Sequence, residues 1–398
     1  MRTWNCLRRR GPVTAIAAAL VVLSVSGLTT LTASATQAKS TSTGTSKAPI
    51  VLGLSGAFNG SNGYVGNYAQ QGLTLGMAQL NARGGVYGHK LTLRMASDNC
   101  DPGTAPSAAK KLISDNVTVI FGPNCSGATL VEMPLAKAAK TPLLESESTN
   151  AKITAESGVG GNPYTWRINA SDSVIAKYCS TFIASKKTKS VSVIAENDEY
   201  GRGAAQFYST DLPANGVKVL GTQYETPGQA DYDPILSKIQ AENAQAIVFV
   251  GEAEDLATLI EQMHAAGLAI PLYTRGALET EIFGELGKNV DLANGVFGCD
   301  YSFYGTDPSF DALYLKNYHT VAPEPSVSYY NLLQVMVQAM TLAGGVTSAD
   351  VEAGLRKIDV KYSWGIAKFD SHNQAQSNVY ITVAKNGVIH LLKEYLAA

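Results

Sequence analysis

The chain has 398 residues, 45% of them hydrophobic and 16% charged, a balance that fits a packed globular protein and excludes a disordered one. Its formal charge of −2 hides an asymmetry: residues 1–35 hold four arginines and no acids, leaving a body with 27 basic and 33 acidic side chains, net −6. An acidic body argues against a nucleic-acid partner, whose phosphates require clustered Lys and Arg.

At the N-terminus, Arg2, Arg8, Arg9 and Arg10 precede an apolar run from Val13 to Leu28 and the small-residue sequence Ala33-Ser34-Ala35. That order reads as a secretory signal peptide over 1–35, cleaved near Ala35, followed by a flexible Ser/Thr-rich leader over 36–48. An uncleaved membrane anchor is the open alternative, because the run approaches the length of a span. Cys6 lies before the run, so no cysteine stands where a lipid would be attached. The expected location is extracytoplasmic, in the periplasm or at the cell surface.

From residue 50 onward, short apolar runs alternate with helical patterns. A strand at 50–54 leads to a helix over 64–82, with Leu73, Met77 and Leu80 on one face and glycine-rich turns up to Gly88. Strands at 91–95, 117–121 and 142–144 follow, separated by helices near 104–115 and 127–140. The rhythm restarts with a crossing strand at 164–168 and a helix from Asp172 to Ser185. Strands at 191–195, 217–224, 246–250 and 271–273 alternate with helices near 202–214, 231–242 and 253–266. A strand at 295–297, helices near 308–320 and 327–343, and strands at 366–369 and 379–383 complete the chain. This is an α/β pattern of two doubly wound parallel-sheet lobes, with a ligand cleft where strand carboxyl ends face each other.

Four cysteines lie beyond the leader, an even count that permits disulfides in an exported chain. Cys100 and Cys125 end two neighbouring strands, the placement a bridge needs, with buried free thiols as the alternative. The pairing of Cys179 with Cys299 is left open.

Catalytic signals are few. The five histidines form no i, i+4 pair and have no cysteine at ligand spacing, so neither a metal site nor a cofactor is expected. Ser107-x-x-Lys110 and Ser114-Asp115-Asn116 match fragments of serine β-lactamase motifs, but lie on one helix and its exit and cannot face each other. Gly201-Arg-Gly203 is an incomplete dinucleotide fingerprint, with Gln206 in place of the third glycine. Binding signals are better placed. Ser126 opens a helix after Gly122-Pro-Asn-Cys, where its hydroxyl and the next amides suit a carboxylate, or serve plain capping. Thr149 follows the next strand, and Tyr200 follows the first full strand of the second half.

Together these segments resemble the leucine/isoleucine/valine-binding proteins, the type 1 periplasmic substrate-binding components of ABC transporters. The likeness rests on Leu54-Ser-Gly56, Asn81-x-x-Gly-Gly-x-x-Gly88, Asn99-Cys-Asp-Pro102, Gly122-x-x-Cys-Ser126, Thr149-Asn150 and Asp198-x-Tyr-Gly-x-Gly203, in that order. It implies two lobes joined by three crossovers, near 169–172, 299–302 and 364–367, that close over the ligand. The lobes would be 49–170 with 301–365, and 171–300 with 366–398. The resemblance supports the Cys100–Cys125 bridge and assigns ligand-carboxylate binding to Ser126 and Thr149, with Asn124 and Cys125 in the same turn. It assigns the ammonium to the backbone carbonyl of Glu147, and the walls to Tyr200, Tyr304 and Tyr64 or Val65.

Two departures stand out. The family's ammonium-pairing carboxylate falls at Gly276, beside the cation Arg275, and a nearby tyrosine is replaced by Ala253. Arg275 is therefore a further candidate ligand-binding residue, with a surface position as the alternative, and Glu252, Glu254 or Glu147 could restore the missing negative charge. The implied function is capture of an amino acid or related small carboxylate for an ABC importer, by a monomer that performs no chemistry and delivers to permease subunits. Two alternatives stay open: a sensor of the same fold that docks on a membrane receptor, and a binder of an amide, organic acid or aromatic acid.

Overall fold

The computed structural model describes residues 47–396, so the signal-like segment and nearly all of the leader lie outside the described residues. The first lobe runs β1 (Ile50–Gly56), α1 (Gly63–Ala82), β2 (Leu91–Ser97), α2 (Ala105–Ser114), β3 (Val119–Phe121), α3 (Ser126–Ala139), β4 (Leu143–Glu145), α4 (Ala151–Ala155) and β5 (Thr165–Arg167). Its strands are all parallel, in the order β2-β1-β3-β4-β5.

The second lobe continues with α5 (Asp172–Ser185), β6 (Ser190–Glu196), α6 (Glu199–Ala214), β7 (Lys218–Glu225), α7 (Asp233–Glu242), β8 (Ile247–Val250), α8 (Ala253–Ala265), β9 (Leu272–Arg275), α9 (Ile282–Leu286), a 3-10 turn over Gly287–Ala293, and β10 (Phe297–Asp300). Strands β7-β6-β8-β9-β10 repeat the first lobe's parallel order. Buried on both faces, such strands need continuous apolar runs, and all four residues of β8, Ile-Val-Phe-Val, are buried.

The chain then returns to the first lobe through α10 (Pro308–Tyr318), α11 (Glu324–Ala343) and α12 (Ser348–Leu355). Helix α11 packs on α1 at very close range. A β-carbon at Gly72 would lie 2.0 Å from the Ser326 carbonyl oxygen, so only glycine permits the approach.

Strands β11 (Val360–Tyr362), β12 (Gly365–Phe369) and β13 (Ala375–Ser377) form a small antiparallel sheet. Residues 366–377, expected with the second lobe, thus belong to this sheet, which a bridge between Arg167 and Gln374 ties to β5. The second lobe resumes at β14 (Val379–Lys385), antiparallel to β10 and paired with β15 (Val388–Tyr395). Both disulfides are formed. Cys100–Cys125 joins the loops after β2 and β3, and Cys179–Cys299 joins α5 to β10, with Cα separations of 5.3 and 5.8 Å. The two β-lactamase-like fragments lie on α2 and its exit, with Ser107, Lys110 and Ser114 exposed to solvent.

Candidate functional site

Strand carboxyl ends of both lobes converge on one cavity of about 60 Å³, a measure in which one water needs roughly 10–15 Å³. The first lobe supplies the wall from the loops after β3 and β4. Helix α3 begins at Ser126, and its cap residue Cys125 is extended and makes no side-chain capping bond. The first amides of α3 therefore remain available as donors at the positive end of the helix dipole. Ser126 is 2% exposed, and its hydroxyl accepts a 3.3 Å bond from the Asn150 amide.

The loop after β4 is shaped from within. Glu145 Oε1 accepts from the amides of Ser146, Glu147 and Ser148 at 3.1, 3.0 and 3.0 Å. Beneath it, the buried Arg167 donates from Nη1 to the carbonyls of Ser148 and Asn150 at 3.2 and 3.0 Å. Burial drives Glu145 up to about 7 even with these donors around it. The result is a fixed turn that presents Glu147 and Thr149 to the cavity.

The second lobe builds a different wall. Glu196 ends β6, Asp198 caps α6 by accepting from the Gly201 amide at 2.7 Å, and Glu252 stands at the start of α8. Glu279 and Asp300 follow β9 and end β10. Burial raises the Glu196 carboxyl well above its ordinary range, and its neighbours Glu252, Asp198, Glu225 and Asp255 raise it further. Burial, then Glu281, Glu324 and Glu252, do the same to Glu279. Glu252 is pushed up to about 7 by burial, against the pull of the Tyr64 hydroxyl and of Arg275.

Among the described residues, Arg275 is the single cation lining this cavity, and each of its three nitrogens has a partner. Nη1 bonds Asp300 at 2.9 Å, Nε reaches Asp172 at 3.3 Å, and Nη2 donates to Thr149 Oγ1 at 2.8 Å. Burial opposes its charge, yet Asp300 and Asp172 hold its pKa well above normal. The guanidinium also lies over the Tyr200 ring, 5.4 Å from the centroid, while the Tyr200 hydroxyl donates to the Arg275 carbonyl.

Asn124, Cys125, Ser126, Glu147, Thr149, Tyr200, Arg275 and Tyr64 all line the cavity, as does Val65. Tyr304 does not. It sits on the turn past β10, 39% exposed, while Tyr301 directly after the strand turns inward at 4% and takes the wall position. At Gly276, φ is +83° and a β-carbon would meet the Tyr200 hydroxyl at 2.4 Å, so Tyr200 occupies the space a side chain would need. Sequence reasoning missed Glu196, Asp198, Glu279, Asp300 and Asn62. The available signal was positional, since Glu196 and Asp300 are the last residues of their strands.

The lobes touch across the cavity. The Tyr64 hydroxyl donates to Glu252 Oε2 at 2.7 Å and Arg275 reaches Thr149, while Tyr301, where the chain turns back to the first lobe, donates to Glu147 Oε2 at 3.2 Å. Two matched α/β lobes bridged over a polar cavity at their strand ends are the architecture of a protein that captures a small solute. The periplasmic binding protein family model matches residues 49–388, and the chain belongs to that family, whose members bind substrates and do not turn them over. An amino acid binding protein of Pseudomonas aeruginosa is 25% identical over 84% of this chain and 89% of its own. Two solved structures share the type 1 fold. One is the branched-chain amino acid binding protein LivJ of Streptococcus pneumoniae with isoleucine, with a TM-score of 0.78, 19% identity and coverage of 88% and 99%. The other is an R. palustris solute-binding protein with benzoate, with a TM-score of 0.79, 16% identity and coverage of 88% and 97%.

Proposed function

We propose that this protein is the extracytoplasmic substrate-binding component of an ABC importer and captures a zwitterionic amino acid by closing its lobes. The observation that carries this reading is the pairing of opposite electrostatics on one cavity. The uncapped N-terminus of α3 with Ser126 suits a carboxylate, and the carboxylates of Glu147, Glu252 and Glu279 suit an ammonium. The negative charge absent at Gly276 thus has replacements from other strand ends. Arg275 is a poor anchor for a ligand anion, because Asp300 and Asp172 already pair with its charge and Thr149 with its third nitrogen. In this reading the protein acts as a monomer, leaves the cytoplasm by its N-terminal segment, and delivers ligand to permease subunits.

The test is calorimetry with matched ligands: α-amino acids, the same carbon chains without the amino group, and the same chains without the carboxylate. Zwitterions are expected to bind and both truncated sets to lose at least about tenfold in affinity, since a charged hydrogen-bonding group left unpaired costs ~1.5–3 kcal/mol. Equal binding of simple carboxylic acids, benzoate included, would overturn it.

A further inference from the structure

The cavity holds more acidic groups than one α-ammonium can answer. Six carboxylates line it, those of Glu147, Glu196, Asp198, Glu252, Glu279 and Asp300, against Arg275 alone. Arg275 answers Asp300 and, behind it, Asp172. Of the rest, Asp198 is satisfied at the head of α6. Buried oxygens of Glu147, Glu196 and Glu279 have no hydrogen-bond partner at all. A buried acceptor without a donor is costly, and its simplest explanation is a donor that arrives with the ligand.

These unpartnered oxygens fall in two places. Glu147 and Glu279 come from the loops after β4 and β9. Glu196 ends β6, which lies two strands from β9 in the order β9-β8-β6, about 10 Å away at ordinary strand spacing. Glu196 is 2% exposed and is backed by two more buried carboxylates, Glu225 and Asp255, with ligand atoms of all three within 4.8 Å of one another. Tyr232 serves Glu225 Oε2 and the Gly228 amide serves Asp255, but Glu196 Oε1 and Glu225 Oε1 have no donor.

We infer that the cavity has a second cation subsite at Glu196, and that the ligand is an amino acid bearing another cationic nitrogen several bonds from its α-ammonium. This rests on the amino-acid reading above and narrows it to the basic class. The carboxylate would sit at the head of α3, the α-ammonium at Glu147 and Glu279, and the distal cation at Glu196 and Glu252.

The experiment titrates the exported chain with lysine and with norleucine, which has the same carbon chain without the terminal nitrogen. Lysine is expected to bind at least about tenfold more tightly, the usual worth of a charged hydrogen bond in a desolvated site. Glu196→Gln should shrink the lysine-to-norleucine ratio, and so should Glu252→Gln, which keeps the test valid if the first variant fails to fold. Norleucine binding as well as or better than lysine would overturn this inference while leaving the amino-acid reading intact. Binding of neither would overturn both. Calcium binding alone, competing with lysine and lost in Glu225→Gln, would reassign these acids to a metal and overturn the inference too.

Discussion

The two walls of the cavity are built at equivalent strand ends of two sheets with the same order, yet they differ sharply in how many acids they carry. The first lobe contributes a helix start, a serine, a threonine, an asparagine and one acid, Glu147, held by a disulfide and by an internally bonded turn. The second contributes Glu196, Asp198, Glu252, Glu279 and Asp300 around one neutralised arginine. Topology therefore decides where a ligand sits, and the residues at the strand ends decide what it is. Apart from Glu147, the first wall works through dipoles, which cost less to bury than charges when they are hydrogen-bonded. The second works through charges, which are costly to bury and must be compensated.

The largest expected effect comes from removing that compensation. Arg275→Met leaves Asp172 and Asp300 buried without their cation, and should cost about 3–5 kcal/mol in urea unfolding. A loss below about 1 kcal/mol would mean that the two acids are already protonated, and that the second wall is less charged than described. The next effect lies on the first wall. Replacing Cys100 and Cys125 by serine opens a loop with a sequence separation of 25, and should cost about 3 kcal/mol while loosening the head of α3. Denaturation together with ligand titration would register both, and unchanged affinity would show that α3 does not need the bridge to hold its place.

The smallest effect is a pH trend that belongs to the second wall. Burial lifts Glu252 to about 7 and Glu225 to about 8 from ordinary values of 4.5. Folded, these groups hold protons that the unfolded chain has already released, so their contribution is fullest below about 4.5 and is lost as pH rises through 7 to 8. The ligand-free chain should therefore melt at a lower temperature near about pH 8.5 than near about pH 6. Affinity for a cationic ligand should move the other way, because binding favours the ionised carboxylates. A melting temperature that rises over this window would assign the acids to a network already ionised without ligand.

Much of this fold was legible because parallel sheets write themselves as apolar runs. Val119–Phe121, Ser190–Glu196 and Ile247–Val250 all lie within a residue or two of the expected strands. Strand β10, Phe-Gly-Cys-Asp, has no such run and was anticipated only at its first residue. Helices α4 and α9 have five residues each and β11 and β13 three, too short for any periodicity to register. Strand β15 was missed although Asn386-Gly387, both at positive φ, marks the hairpin that forms it. The first wall was readable because Ser126 and Thr149 are small polar residues where a strand hands over to a helix or turn. The second was not, because a glutamate in sequence looks like surface. Only the meeting of the ends of β6, β7 and β8 shows that Glu196 is buried.

The Cys179–Cys299 bridge has a mechanical consequence. Cys179 is on the helix that follows the first crossing between lobes, and Cys299 is one residue from the end of the strand that precedes the second. Both connecting segments thus spring from a single cross-linked footing, like two straps bolted to one plate. Such a mounting is expected to resist twist more than bending. If the lobes close as proposed, this footing favours a single arc that brings Tyr64 to Glu252 and Thr149 to Arg275 in one register.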